Sequence, residues 1–337
     1  MSNTSFFTLE IGEKSLKILD GQITNQQIEV RSLNYVDVPF SLFTDQTLNI
    51  SNQISEIIKK TLSGLKINKK KVNLIIPDIF TFSQILSMPI LNERELISAI
   101  KYQADQFIPL PIDEINIDLE IINKNEKEKN QLILVVAASK KLVEQIEEIT
   151  QLSGLIPNIL ENQLTAFNRF LNKFSLPLLK NTASEKILFI NFGLNSTSIY
   201  VFDKKLSLIT KIHNFNLGYN LFTKEIQINT SLDNEKINQL LASYELENKN
   251  PIEVESIISP AINQLIFEIQ KIFIPEMELF LIGDIFRFPA LSSILSKKMN
   301  LKIDIFNPKT VLKSNPQIEN YKNKLSFFVT TFGGQIE

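Results

Sequence analysis

Cysteine is absent from the 337 residues, which rules out disulfides, thiolate metal sites and a cysteine nucleophile. A cysteine-free chain fits the cytoplasm, and a cytoplasmic location is the expectation. Histidine occurs once, as His213. It has no cysteine, serine or acidic partner at a recognised spacing, so it reads as a strand-surface residue rather than a catalytic base. Glycine is scarce, with 9 residues, so the backbone can approach a ligand closely at few places. Basic excess is missing too: the formal net charge is −2, and the one basic run, Lys69-Lys70-Lys71, is short. That balance excludes long-range attraction for nucleic acid, and the run reads as a solvated turn before a strand. No stretch approaches the roughly 20 apolar residues of a membrane span. The opening MSNTSFFTLEIG has neither a basic region nor a long apolar one, so a soluble, unexported chain is expected. On that reading the sequons Asn3-Thr4-Ser5, Asn195-Ser196-Thr197 and Asn229-Thr230-Ser231 carry no sugar. Metal-ligand clusters and Gly-x-Ser-x-Gly elbows are also lacking.

What is present is apolar material: 44% of residues are hydrophobic and 21% charged. That supplies a large core in a chain too long for one simple domain, so two lobes or more are expected. From Ser5 to Val30, short alternating runs broken at Gly12 and at Asp20-Gly21 predict a hairpin or meander. Residues 49–63 space Ile50, Ile54, Ile57, Ile58 and Leu62 as a helix, and Val72 to Pro77 reads as a buried strand.

The stretch AIKYQADQFIPLPIDEINIDLEI, residues 99–121, runs an amphipathic helix into a proline corner. Asn92 with Glu95 predicts an N-cap and reciprocal capping pair, and Leu96, Ile100, Ala104, Phe107 and Ile108 form one apolar stripe. Pro109 and Pro111 stop the helix, because proline lacks an amide hydrogen and restricts its predecessor. Ile115, Ile117, Leu119 and Ile121 then alternate with Asn116, Asp118 and Glu120 as a half-buried strand. Asn123 to Asn130 is a hairpin tip, Leu132 to Ala138 the returning strand, and Lys140 to Leu152 a helix capped at Ser153-Gly154.

The second half begins in the manner of the first. Lys186 to Gly193 repeats the strand, polar residue, apolar residue and glycine of Phe6 to Gly12, with strands at Ser196–Phe202 and Leu206–His213 to follow. The chain reads as internally duplicated. Helices are expected at 219–228, 233–245 and 253–273, then a strand at Met277–Ile282 ending in Gly283-Asp284, and a helix from Ala290 to Lys298.

Several phrases together resemble, in order and spacing, the PilM family of type IV pilus assembly proteins. They are Glu10-Ile11-Gly12 with Lys17, the stretch Ala99 to Ile121, Asn191-Phe192-Gly193 with Ser196-Thr197, Leu281-Ile282-Gly283 before Phe288-Pro289-Ala290-Leu291, and Asn307-Pro308. The most specific is Gln106-Phe107-Ile108-Pro109-Leu110-Pro111-Ile112-Asp113-Glu114. The resemblance implies an α/β, actin-like (ribonuclease H-like) fold of two duplicated lobes, with a small α+β subdomain inserted in the first. The implied divisions are 1–82 with 155–182 as first-lobe core, 83–154 as insert, 183–215 with 275–337 as second-lobe core, and 216–274 as a helical subdomain, the C-terminal segment packing back on the first lobe. It also implies a cytoplasmic scaffold of the pilus inner-membrane complex. Such a scaffold binds the N-terminal cytoplasmic tail of a PilN-like membrane protein and other proteins of that complex, self-associates, and meets the membrane only through partners.

The resemblance further implies an ATP and Mg2+ site. Its nucleotide residues would be Glu10, Gly12, Ser15, Lys17, Asn191, Gly193, Ser196, Thr197, Gly218 and Gly283, with Glu10 and Asn191 holding Mg2+ through water. Glycine turns allow close phosphate approach, and a strand-end acid supplies a hard oxygen. Both acids depart from the family's aspartates, Glu being longer and Asn uncharged, and Phe286 and Arg287 stand where small residues are typical. ATPase activity is therefore expected to be weak or absent. Glu161, placed on the helix after Gly154-Leu155-Ile156-Pro157, is either the group that activates water or a carboxylate of the helix's first turn. The alternative function is an actin-like ATPase of the FtsA cell-division type. It is disfavoured because residues 326–337 lack the basic face of a membrane-targeting helix. A sugar kinase would need intact phosphate hairpins, and a GspL-type protein would continue into a membrane span.

Overall fold

The computed structural model of the protein describes residues 5–24, 26–39, 43, 50–103, 108–246 and 252–336. Ala104, Gln106 and Phe107 of the corner phrase, and Asn3 and Thr4 of the first sequon, lie outside them. The chain divides into two compact units, Met1–Ile23 with Val30–Arg169 and Thr331–Glu337, and Thr24–Glu29 with Phe170–Thr330.

In the first unit, β1 (Phe6–Ile11), β2 (Ser15–Thr24), β3 (Gln27–Asp37), β4 (Lys71–Ile76) and β8 (Ile156–Asn162) form a sheet ordered β3-β2-β1-β4-β8. β1 runs antiparallel to β2 and parallel to β4, and β4 runs parallel to β8. Strand alternation sorts the side chains onto two faces. Phe7, Leu9, Ile11, Val72, Leu74 and Ile76 pack with Ile54 and Ile58 of α1 (Ile50–Gly64) and with Ile146 and Ile149 of α3 (Lys140–Leu152). Thr8, Glu10, Asn73 and Ile75 face the other way.

The insert is a sheet of β5 (Thr81–Pro89), β7 (Asn130–Ser139) and β6 (Ile115–Asn125), all antiparallel and in that order. Leu96 and Ile100 of α2 (Glu93–Gln103) cover one face with Met88, Ile133 and Val135. The capping pair forms as expected: Glu95 N–H donates to Asn92 Oδ1 at 3.1 Å, and Asn92 N–H to Glu95 Oε2 at 2.9 Å. The proline corner carries its own small core, in which Ile108 meets Ile115 and Ala137. Although its sequence position joins α3 to the insert, α3 packs on the larger sheet instead. Its apolar stripe fits α1, and its N-cap, Ser139 accepting from Leu142 N–H, turns the chain away from β7.

The second unit repeats the larger sheet. β9 (Lys186–Phe192), β10 (Thr197–Asp203), β11 (Leu208–Phe215), β12 (Glu278–Gly283) and β13 (Ile303–Ile305) are ordered β11-β10-β9-β12-β13. The β9–β10, β9–β12 and β12–β13 pairings match in sense the β1–β2, β1–β4 and β4–β8 pairings of the first unit. α5 (Tyr219–Asn229), α6 (Asn234–Ala242), α7 (Val254–Gln270) and α8 (Leu291–Met299) cover it around Phe192, Phe222, Ile258, Leu265 and Leu281. One sheet order built twice is the duplication that the two glycine-ended strands announce.

Candidate functional site

The polar face of the first sheet closes around Glu10. Glu10 and Lys17 are cross-strand partners in register, so their side chains share a face and meet, Nζ to Oε1, at 2.9 Å. Gln163 of α4 (Gln163–Leu178) donates to the same oxygen at 2.7 Å, and Thr331 Oγ1 donates to Oε2 at 2.6 Å. Glu10 is fully buried and Lys17 nearly so. Thr331 belongs to α10 (Val329–Gly334), the helix after the short α9 (Pro316–Asn320), and the sheet face receives it closely. Asn73 Nδ2 donates to the Gly334 carbonyl at 2.9 Å, and Arg169 Nε to that of Gly333 at 3.2 Å. A Cβ on Gly333 would stand 1.9 Å from the Ala166 carbonyl oxygen, so only glycine seats this turn. Gly12 and Ser15 close the β1–β2 hairpin through a 2.8 Å backbone bond.

In the second unit, Gly193 N–H donates to the Ser196 carbonyl at 2.9 Å, closing the equivalent hairpin. The Gly193 and Leu194 carbonyls accept from Tyr219 and Asn220 N–H at 3.0 and 2.8 Å, which commits two N-terminal amides of α5, just after Gly218, to the hairpin itself. Thr197 Oγ1 donates to the Leu217 carbonyl at 2.6 Å. Asn191 Nδ2 donates to Tyr200 Oη at 3.2 Å. Gly283 sits at φ +86°, and a Cβ there would fall 2.5 Å from Asn191 Oδ1, so this strand end needs glycine for both conformation and space. Beyond it, Phe286 packs edge-on against Phe327 at 5.0 Å with Lys324 Nζ 4.6 Å above its ring. A cavity of about 490 Å3 is lined by Tyr244, Glu245, Leu246, Pro289, Ala290 and Ser293.

These contacts test the implied Mg2+ site unit by unit. Glu10 has its charge met by Lys17 and both oxygens held by protein donors, while Asn191 carries no charge and uses its Nδ2, not its Oδ1, on Tyr200. A hard divalent ion needs charged or carbonyl oxygens open to it or to its waters. Glu10 does not fit that ion, and Asn191 brings an oxygen but no charge to it. Among the described residues, no group of three or more His, Asp or Glu side chains could hold a metal.

Glu161 lies elsewhere than expected, in β8 rather than on the following helix. Its side chain is 5% exposed and forms an ion pair with Arg169 Nη2. Burial raises its carboxyl above the ordinary value against the opposing pull of Arg169, and Glu120 pushes the same way as burial. Its Oε2 is buried without a hydrogen-bond partner. Just after it, Asn162 Oδ1 accepts from Thr165 N–H at 3.1 Å as the cap of α4, and its Nδ2 donates to Thr81 and Ser83 at 2.9 and 2.8 Å.

Glu161 also lines two adjoining cavities of about 270 and 180 Å3, walled by β6 and β7 on one side and β8 on the other. Asp118 and Glu120 point into this groove with Leu134, Val136 and Leu160. β6 and β8 each end their sheet, and β8 leaves Ile156 and Ile159 56% and 40% exposed. An edge strand with bare apolar side chains is a template for pairing. The alternation Asn116, Asp118, Glu120 signalled this wall in the sequence, but nothing there paired it with β8. His213 lies on strand β11, part exposed, and meets Glu268 of α7 at 2.6 Å, a partner 55 residues away that spacing alone does not reveal.

A family model described as type IV pilus assembly protein PilM matches residues 8–333. Among solved structures, the chain is similar to a PilM-PilN type IV pilus biogenesis complex, with 19% identity, 99% of each chain covered and a TM-score of 0.82. It is also similar to the ethanolamine utilization protein EutJ from Carboxydothermus hydrogenoformans, at 12% identity, 98% and 89% coverage and a TM-score of 0.54. MreB 5 of Spiroplasma citri bound to AMPPNP shares 12% identity over 98% and 95% of the chains, with a TM-score of 0.53. The fold is thus actin-like, as the duplicated sheets require. No helix among the described residues is long and apolar enough to cross a membrane.

Proposed function

The chain belongs to the type IV pilus assembly protein PilM family, and on that premise we propose that it is a scaffold of the pilus inner-membrane complex that grips the cytoplasmic tail of a PilN-like membrane protein. The observation that carries this reading is the groove between β6 and β8, lined by Asp118, Glu120, Val136, Leu160 and Glu161. It combines an exposed apolar edge strand with carboxylates, which suits an extended segment that adds main-chain bonds and side-chain contacts together. The similar PilM structure is of a complex with PilN, which makes a tail of that kind the natural occupant. Attachment to the membrane then comes through the partner, since no described helix spans it.

A labelled synthetic peptide of the N-terminal cytoplasmic residues of the PilN-like protein, titrated against the full chain by fluorescence anisotropy, tests this. Saturable binding, weakened by Ile159→Asp on β8, is the expected result. No binding up to millimolar protein overturns the reading.

The finer part concerns nucleotide. MreB 5 was solved with AMPPNP, and the cavity beside Tyr244 and Pro289 is of a size that takes a nucleoside. Because the carboxylate of Glu10 is taken by protein donors and Asn191 is uncharged, nucleotide binding without Mg2+-dependent hydrolysis is the reading they favour. Titration of a fluorescent ATP analogue should show no Mg2+-dependent step; a micromolar, Mg2+-dependent one would refute this.

A further inference from the structure

Glu161 is a costly residue to bury. One oxygen has Arg169, but the other is sealed from solvent and lacks any hydrogen-bond partner in the protein. Unsatisfied buried acceptors are rare, and a carboxylate oxygen is among the most expensive. The cavities it lines, about 270 and 180 Å3, exceed the roughly 30 Å3 share of a single water. Asp118 and Glu120 lie on the same walls, and the one cation there, Arg169, is already engaged by Glu161 and the Gly333 carbonyl. The groove therefore presents carboxylate acceptors and a negative charge that Arg169 meets only at Glu161.

We propose that Glu161 is the specificity-determining residue of this groove, its Oε2 accepting a hydrogen bond from a donor on a basic, extended tail. This rests on the reading above that the groove holds a PilN-like tail. Charge complementarity selects the occupant. Cytoplasmic segments beside a membrane span carry excess Lys and Arg, and such a tail meets Asp118 and Glu120 at the rim while one donor meets Glu161 Oε2 as a turn of the carboxylate brings that oxygen to the groove. A segment with no donor at that position leaves Oε2 unsatisfied and is rejected, because a site built around a buried acceptor discriminates strongly against a ligand that lacks the donor.

The test uses the full chain and the same PilN-like peptide. Glu161→Gln keeps an oxygen for Arg169 but turns an amide donor toward the groove. It should weaken binding about 10- to 100-fold, a loss that persists at high salt. Asp118→Asn should cost only about 2- to 3-fold, and salt should erase that difference. As a second arm on the wild-type protein, peptides have each donor removed in turn, by N-methylation or alanine substitution. One position should match the Glu161→Gln loss and have no further effect in that variant. Wild type and Glu161→Gln binding within twofold of each other, or a donor scan without such a position, overturns this proposal alone. A wild-type protein that does not bind the peptide overturns the partner reading beneath it.

Discussion

Replacing Lys17 with methionine should destabilise the first unit by about 3–5 kcal/mol, the cost of stranding one member of a buried ion pair. Methionine preserves much of the lysine stem and deletes the ammonium 2.9 Å from Glu10. The carboxylate, fully buried, would keep the neutral donors Gln163 and Thr331 but lose its counter-charge. Adding Glu10→Gln in the same chain removes the stranded charge, so the double variant should recover about 2 kcal/mol of the loss. Urea unfolding followed by circular dichroism measures both, provided the transitions of the two units are fitted separately. A Lys17→Met variant within about 0.5 kcal/mol of wild type, or a double variant no better than the single, would refute the reasoning. The pair would then serve a ligand rather than the fold.

Gly333→Ala should cost about 3 kcal/mol or more, because its Cβ meets the Ala166 backbone 1.9 Å away and neither side can yield without breaking the Arg169 and Asn73 bonds; a thermal midpoint equal to wild type would contradict that. Asn162→Ala should lose about 2 kcal/mol by uncapping α4 and freeing Thr81 and Ser83; chemical denaturation reads it, and a change under about 0.5 kcal/mol fails it. Burial raises the Glu161 carboxyl above 4.5 despite Arg169, with Glu120 adding to the rise and Asp118 lining the same groove. The folded chain therefore holds a proton that the unfolded chain has released, and this group's contribution to stability falls as pH climbs through that window. Relative to wild type, Glu161→Gln should gain stability as pH rises from about 4.5, the ordinary carboxyl value, and a flat difference would sink the assignment.

The duplicated sheets were legible because two strands carry the same ending, Glu10-Ile11-Gly12 and Asn191-Phe192-Gly193, and because β-period alternation survives in both. The capping pair at Asn92 and Glu95 was legible for a local reason: both partners lie within one helical turn. What escaped was non-local. Lys17 looked like a phosphate ligand, and only the register of β1 and β2 shows that its nearest charge is Glu10. The resemblance places Glu161 on a helix, and the short strand that in fact contains it, β8, is mostly exposed and lacks the apolar alternation of a core strand. Its pairing with β4 in parallel register is set by residues some 80 positions earlier. The groove was invisible for the same cause, since its walls come from strands that are not neighbours in the chain.

The seat of α10 has a consequence for how the protein is made. The hydrogen bond from Thr331 to Glu10 spans 321 positions, and translation at 5–20 residues per second takes roughly 16 to 64 seconds to bridge them. For that time the nascent first unit carries Glu10 without its Thr331 donor and Asn73 without the Gly334 carbonyl, exposing a sheet face that the tail later seals. Completion of the first unit thus follows synthesis of the second unit's sheet rather than preceding it. A chain stopped before Thr331 should leave this face open to chaperones and to hydrogen exchange at β1 and β4, while the second unit's sheet stays protected.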